Sequence, residues 1–68
     1  MRTYSKKELA IAYAPELTVR AAVNRLMLWL KRNPQLMEEL YQCGYRKEQR
    51  IFTIRQVNVI FRYLGEPD

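Results

Sequence analysis

Five residues that interrupt helices, Pro15, Pro34, Gly44, Gly65 and Pro67, divide this chain of 68 residues into four segments. Each segment carries apolar residues at helical spacing, so the breakers read as the ends of helices rather than as faults within them. Two segments open with the same start signal. Ser5 stands three residues before Glu8 between Tyr4 and Leu9, and Thr53 stands three residues before Gln56 between Phe52 and Val57. In such a box the hydroxyl accepts from the third amide of the helix, and the Glu or Gln side chain accepts from the cap amide. The flanking apolar pair fixes the angle at which the chain enters. The spacing predicts a first helix from Lys6 to about Ala14, stopped by Pro15, and a fourth from Thr53 that buries Ile54, Val57, Ile60, Phe61 and Leu64. Thr18 caps a second helix from Val19 to about Arg32, with Val19, Ala22, Val23, Leu26, Trp29 and Leu30 in one stripe of roughly 120°. Asn33-Pro34 ends it and starts a third helix, Pro34 to Cys43, with Leu36, Met37, Leu40 and Tyr41 inward and Gly44 as its left-handed stop. The expected fold is all-α: a single domain, residues 1–68, built as a compact helix-turn-helix-like bundle of about four short helices. The stretch from Tyr45 to Phe52 is too charged for a helix face and reads as an extended arm, a short strand or a wing.

The composition removes whole classes of chemistry. The chain contains no histidine and one cysteine, Cys43. That leaves no Ser-His or Cys-His pair, no imidazole base, no cysteine-based zinc site and no internal disulfide. Glu38 and Glu39 are adjacent, so on a helix they diverge and cannot act as a carboxylate pair. No phosphate-cradling glycine loop is present. The sequence therefore points away from an enzyme, and no metal, cofactor or small-molecule substrate is expected. The longest apolar runs, Leu9–Ala14 and Leu26–Leu30, fall well short of the roughly 20 residues that span a bilayer. The polar start, Tyr4-Ser-Lys-Lys-Glu8, has no secretion signal. A lone thiol suits a reducing compartment, so cytoplasmic residence and no membrane partner are expected.

Charge carries the positive signal. Twelve Lys and Arg against seven Asp and Glu give a net charge of +5, and the bases are segregated. The second helix holds Arg20, Arg25, Lys31 and Arg32 with no acid, and the arm adds Arg46, Lys47 and Arg50 against Glu48 alone. Arg20, Asn24 and Lys31 lie opposite the apolar stripe, with Arg25 and Arg32 beside them. Lys and Arg in this layout neutralise phosphates, while Asn24 and Arg25 suit base edges. A DNA partner is the expectation, with RNA and a homodimer left open. A solvated basic face is the plainer reading of any one such helix. Met27 and Leu28 fall on the exposed side of the second helix. They supply the alternative, a protein-interaction module whose charge steers an acidic partner. Trp29 reads as a core anchor and Cys43 as a small buried apolar group. Among five tyrosines, Tyr45, beside Arg46 and Lys47, is the one placed to stack on a nucleobase; the others suit core packing.

Ser5-Lys-Lys-Glu-Leu-Ala10 followed by Thr18-Val-Arg-Ala-Ala-Val-Asn-Arg-Leu26 resembles the opening of a helix-turn-helix. Here the turn lacks glycine and is a few residues longer than in the compact motif, which changes the crossing angle of the two helices. Arg50-Ile-Phe-Thr-Ile-Arg-Gln-Val57 resembles the closing segment of excisionase-like winged DNA binders. Over its whole length the chain is also similar to a family of short Bacteroidales proteins known as DUF4248, a domain of unknown function. The matching stretches are Tyr4-Ser-Lys-Lys-Glu-Leu-Ala10, Tyr13-Ala-Pro-Glu-Leu-Thr18, Arg32-Asn-Pro34, Phe52-Thr53, Gln56-Val57 and Leu64-Gly-Glu-Pro67. The helix-turn-helix and excisionase-like resemblances imply a transcriptional regulator or a mobile-element accessory factor; the family resemblance implies fold and context more than activity.

Overall fold

The computed structural model describes residues 2–67. Its elements in chain order are β1 (Tyr4–Ser5), α1 (Lys6–Tyr13), α2 (Val19–Lys31), α3 (Pro34–Gln42), β2 (Ile51–Phe52) and α4 (Ile54–Leu64). All four helix starts follow from their caps. Ser5 Oγ accepts from the Glu8 amide at 3.0 Å, and Glu8 Oε1 accepts from the Ser5 amide at 2.9 Å. The same reciprocal pair joins Thr53 to Gln56 at 3.2 and 3.0 Å. Thr18 caps α2 and Asn33 caps α3, with Pro34 in the first turn, where its missing N–H has no partner to lose. Gly44 and Gly65 sit at φ 81° and 83°, just past α3 and α4, a backbone region that side-chain-bearing residues rarely adopt.

A capped start also dictates what precedes it. The cap residues Ser5 and Thr53 are extended, at φ −71°, ψ 159° and φ −69°, ψ 166°. An extended segment leaves its backbone groups without internal partners. The two starts solve this together: β1 and β2 pair antiparallel, Tyr4 opposite Phe52 and Ser5 opposite Ile51. The Lys6 amide continues the ladder to the Arg50 carbonyl at 2.8 Å. Two matching strand–cap–helix units thus leave one small ribbon, and their apolar staples enter one core. Phe52, Leu9 and Val57 are fully buried there with Leu26, Leu30, Leu36, Leu40 and Ile60. Burial of each such side chain contributes about 1.5–3 kcal/mol. Ala10, Ala14 and Ala22, also buried, let α1 and α2 approach closely. Tyr4 meets Phe61 edge-on, and Tyr13 meets Trp29 in the same way. Among the described residues, no helix is long and apolar enough to cross a membrane.

The core departs from the expected stripes in particular places. Tyr41 is 59% exposed, because α3 buries only the narrow row of Leu36 and Leu40, and Tyr41 lies beyond the half-buried Met37. The buried face of α4 is turned toward Gln56 and Val59, leaving Ile54 exposed; Phe61 and Leu64 pack only partly. Val19, in the first turn of α2, is likewise exposed. Met27, expected on the open side, is half-buried against the core. The decisive difference is Gln56, which is 1% exposed. Its Oε1 accepts from the Thr53 amide and from Gln49 Nε2, at 3.0 and 2.7 Å, while its Nε2 donates to the Cys43 carbonyl at 3.1 Å. The cap partner is therefore also the hub that fixes the end of α3, the arm and the start of α4. Cys43 is a half-buried free thiol beside it.

Two further ties close the bundle. Tyr63 Oη and Arg62 Nη2 both donate to Glu39 across the α3–α4 seam, the latter at 2.6 Å. Tyr13 Oη donates to the Gly65 carbonyl and holds the end of α4 against α1. Burial, with help from Glu66 and Tyr4, pushes the Tyr13 hydroxyl up to about 12, so this donor keeps its proton at physiological pH.

Replacing Gln56 with Leu keeps the volume but strands a carbonyl, an amide and the Gln49 side chain. Urea denaturation of Gln56→Leu is expected to give a loss of about 2–3 kcal/mol. The hydroxyl of Tyr63, then the guanidinium of Arg62, holds the Glu39 carboxyl below its usual range. A depressed carboxylate stabilises fully above the unfolded pKa of about 4.3 and loses that contribution as pH falls through the folded value. Thermal melts should therefore drop on acidification below that point, and Glu39→Gln should flatten the drop.

Candidate nucleic-acid interface

The site begins with α2. At about 100° per residue, the buried row of Ala22, Leu26 and Leu30 leaves two exposed basic rows, one along each flank, with Leu28 at 46% exposure between them. Arg20, Asn24 and Lys31 form the row beside Val23 and Met27, and Arg25 and Arg32 form the row beside Trp29. All five are exposed. The second row faces the turn between α1 and α2: Arg25 Nη1 lies 3.8 Å from Glu16 Oε2. This is an open ion pair of about 0–1 kcal/mol, readily exchanged for a stronger partner. Lys31 lies eleven residues beyond Arg20, about 16 Å along the axis, so it belongs to the far end of any contact.

The arm is built, not loose. The Gln49 amide donates to the Arg46 carbonyl at 3.1 Å, and Gln49 Oε1 accepts from the Arg46 amide at 2.9 Å. Gln49 Nε2 then reaches Ile51 and Gln56. Lys6 fastens the arm from the other side: its Nζ donates to the Lys47 carbonyl at 2.8 Å and stands 5.3 Å from the Tyr45 ring centroid. Burial lowers the Lys6 pKa, and the nearby Glu48 opposes that shift. With its backbone held on both sides, the arm projects Arg46, Lys47 and Arg50 into solvent, where all three are exposed.

Tyr45 is not available for base stacking. It is 4% exposed and stacks on Phe52, centroids 5.9 Å apart at 20°. Its hydroxyl is buried without a protein partner, and burial raises its pKa. The aromatic residue beside two bases faces inward because the arm folds back over the β2–α4 start. Tyr41, expected inside, takes the open position next to it at 5.9 Å.

Convergence of the eight expected residues is partial. A cavity of about 510 Å³ is lined by Ser5, Lys6, Lys7, Val23 and Arg50. It brings the start of α1, the arm and the first half of α2 to one place, and Arg20 and Asn24 flank Val23 on the helix. The Lys47 carbonyl accepts from Lys6 Nζ, while Lys47 itself is exposed and does not line the cavity. Among the described residues no hydrogen bond or ion pair joins Arg46 to α2, and Lys31 and Arg32 lie toward the opposite end of that helix. The residues missed from the sequence are Lys6 and Lys7, which read there only as part of a capping box. The signal that could have found them was the matching pair of start signals, since pairing their extended flanks sets Arg50 beside Lys6. Lys6→Met keeps the stem and removes the ammonium. Hydrogen exchange is expected to speed up at the Gln49 amide in that variant while the α2 amides stay unchanged.

Neither a curated protein nor a solved structure matches the chain. A family model described as a domain of unknown function (DUF4248) matches residues 1–67. With nearly the entire sequence under one model, the chain belongs to the DUF4248 family.

Proposed function

We propose that this protein is a small cytoplasmic DNA-binding module, a regulator or an accessory factor for a mobile element, that uses α1 and α2 in the manner of a helix-turn-helix. The observation that carries this reading is the cavity where Lys6, Lys7 and Arg50 meet Val23, because it joins two basic stretches far apart in sequence. B-DNA admits a helix into its major groove, about 12 Å wide. With α2 there, Asn24 and Arg25 are the side chains chemically suited to base edges. Arg20 and Lys31, and Arg46, Lys47 and Arg50 on the arm, meet phosphates. Arg25 exchanges Glu16 for the nucleic acid. The proposed activity is binding, without a catalytic step.

Each phosphate neutralised contributes about −0.9 to the slope of log K against log salt concentration. Fluorescence anisotropy with a short labelled duplex should show steep salt dependence for the wild type. In the Arg20→Ala/Arg25→Ala/Lys31→Ala variant the slope should flatten by about 1.8, the share of the Arg20 and Lys31 phosphates, with a further loss of affinity from Arg25. An unchanged affinity and slope would remove α2 from the contact, and tighter binding to a matched RNA would reassign the partner.

A second reading has its own observation. Leu28, Ile51 and Tyr41 are large apolar groups at 46%, 58% and 59% exposure, on three separate elements and each open to a protein partner. That reading requires a complex that survives nuclease treatment of a lysate.

A further inference from the structure

We infer that the cavity between α1, the arm and α2 seats a backbone phosphate of the bound duplex, with Lys7 and Arg50 as its contacts and Lys6 as the residue that positions the arm. This rests on the DNA-binding reading and adds the point that fixes the register of the duplex on α2.

Three features single out this cavity. First, its charged lining is of one sign: Lys6, Lys7 and Arg50. Two clefts of similar size each include an acid, Glu39 between α3 and α4 and Glu8 beside Arg2 and Pro67, the latter sharing Lys7 with the proposed seat. There Arg62 and Arg2 already pair with those acids, which leaves less positive charge for a polyanion. Second, the cations come from separate elements whose backbones are fixed. Arg50 is held by its carbonyl bond to the Lys6 amide, and Lys6 is spent on the Lys47 carbonyl and the Tyr45 ring. Lys7 and Arg50 are exposed, and neither is in an ion pair among the described residues. A preorganised pair of cations loses less freedom on binding than two loose ones. Third, Val23 forms the α2 wall of the cavity, and Arg20 and Asn24 lie next to it on the helix. A phosphate seated here therefore sets the depth and rotation of α2 against the bases. Contacts of this kind position a protein without reading sequence.

The test is the salt dependence of duplex affinity in single variants. Lys7→Ala and Arg50→Ala should each reduce the slope by part of the one phosphate's share, and the double variant by about 0.9 in all, on duplexes of any sequence. Arg55→Ala removes the same charge from the α3–α4 cleft and should leave the slope unchanged. Circular-dichroism melts check that each variant folds; both target side chains are exposed, so no change is expected. If the wild type binds the duplex and the Lys7 and Arg50 variants keep its slope, the phosphate seat is overturned and the α2 contact stands. If no duplex binds, but inorganic phosphate shifts the amide resonances of Lys7 and Arg50, the cavity takes a free anion. Both the seat and the DNA reading then fail.

Discussion

The pairing of two capped helix starts is the interaction on which the rest of the molecule depends. A capping box holds its cap residue in an extended conformation, so the residue before it runs as a strand with unpartnered backbone groups. In this chain two such strands, at Tyr4–Ser5 and Ile51–Phe52, supply each other's partners. That closes a long loop with few bonds. It also brings both apolar staples to the centre of the core, where Phe52, Leu9 and Val57 lie fully buried. A chain of this size buries a smaller fraction of its surface on folding than a larger domain does. Concentrating both staples at one point gives it a core that four short helices lying loosely together would lack.

The same pairing builds the basic surface. The Lys6 amide reaches for the Arg50 carbonyl as the next rung of the ladder, and the side chains of Lys7 and Arg50 follow their backbones. Gln56 fixes the other side of the arm. Buried polar groups are costly unless satisfied, and its amide is met by Thr53, Gln49 and Cys43. Held between Lys6 and Gln56, the arm turns Tyr45 inward and its cations outward. Stability and surface charge are therefore coupled, since the bonds that secure the arm also set the spacing of its bases.

Most of the secondary structure was legible in local chemistry. Ser5, Thr18, Asn33 and Thr53 are all the caps they appeared to be, because a cap involves residues no more than three apart. Gly44 and Gly65 stop helices for an equally local reason. Less legible was which side of each helix meets the core. Hydropathy selected Ile54 and Tyr41, whereas the structure buries Gln56 and Val59. A polar side chain gives no apolar signal, and its burial becomes favourable only when the Cys43 carbonyl and Gln49 arrive from elsewhere in the chain. Tyr45 misled for the same reason: its neighbours Arg46 and Lys47 suggested a wet surface, but the fold of the arm decided its direction.

Residue identities and short-range spacing were enough to give four helices, their ends, a net positive charge concentrated on α2 and the arm, and a chain with no histidine and a single cysteine. The tertiary structure alone decided which cations share a surface. It set Arg50 with Lys6 and Lys7 beside Val23 and sent Lys31 and Arg32 toward the other end of α2. The reason is geometric: a helix fixes angles among its own residues, but only the ladder between distant strands fixes where one segment's charges stand relative to another's.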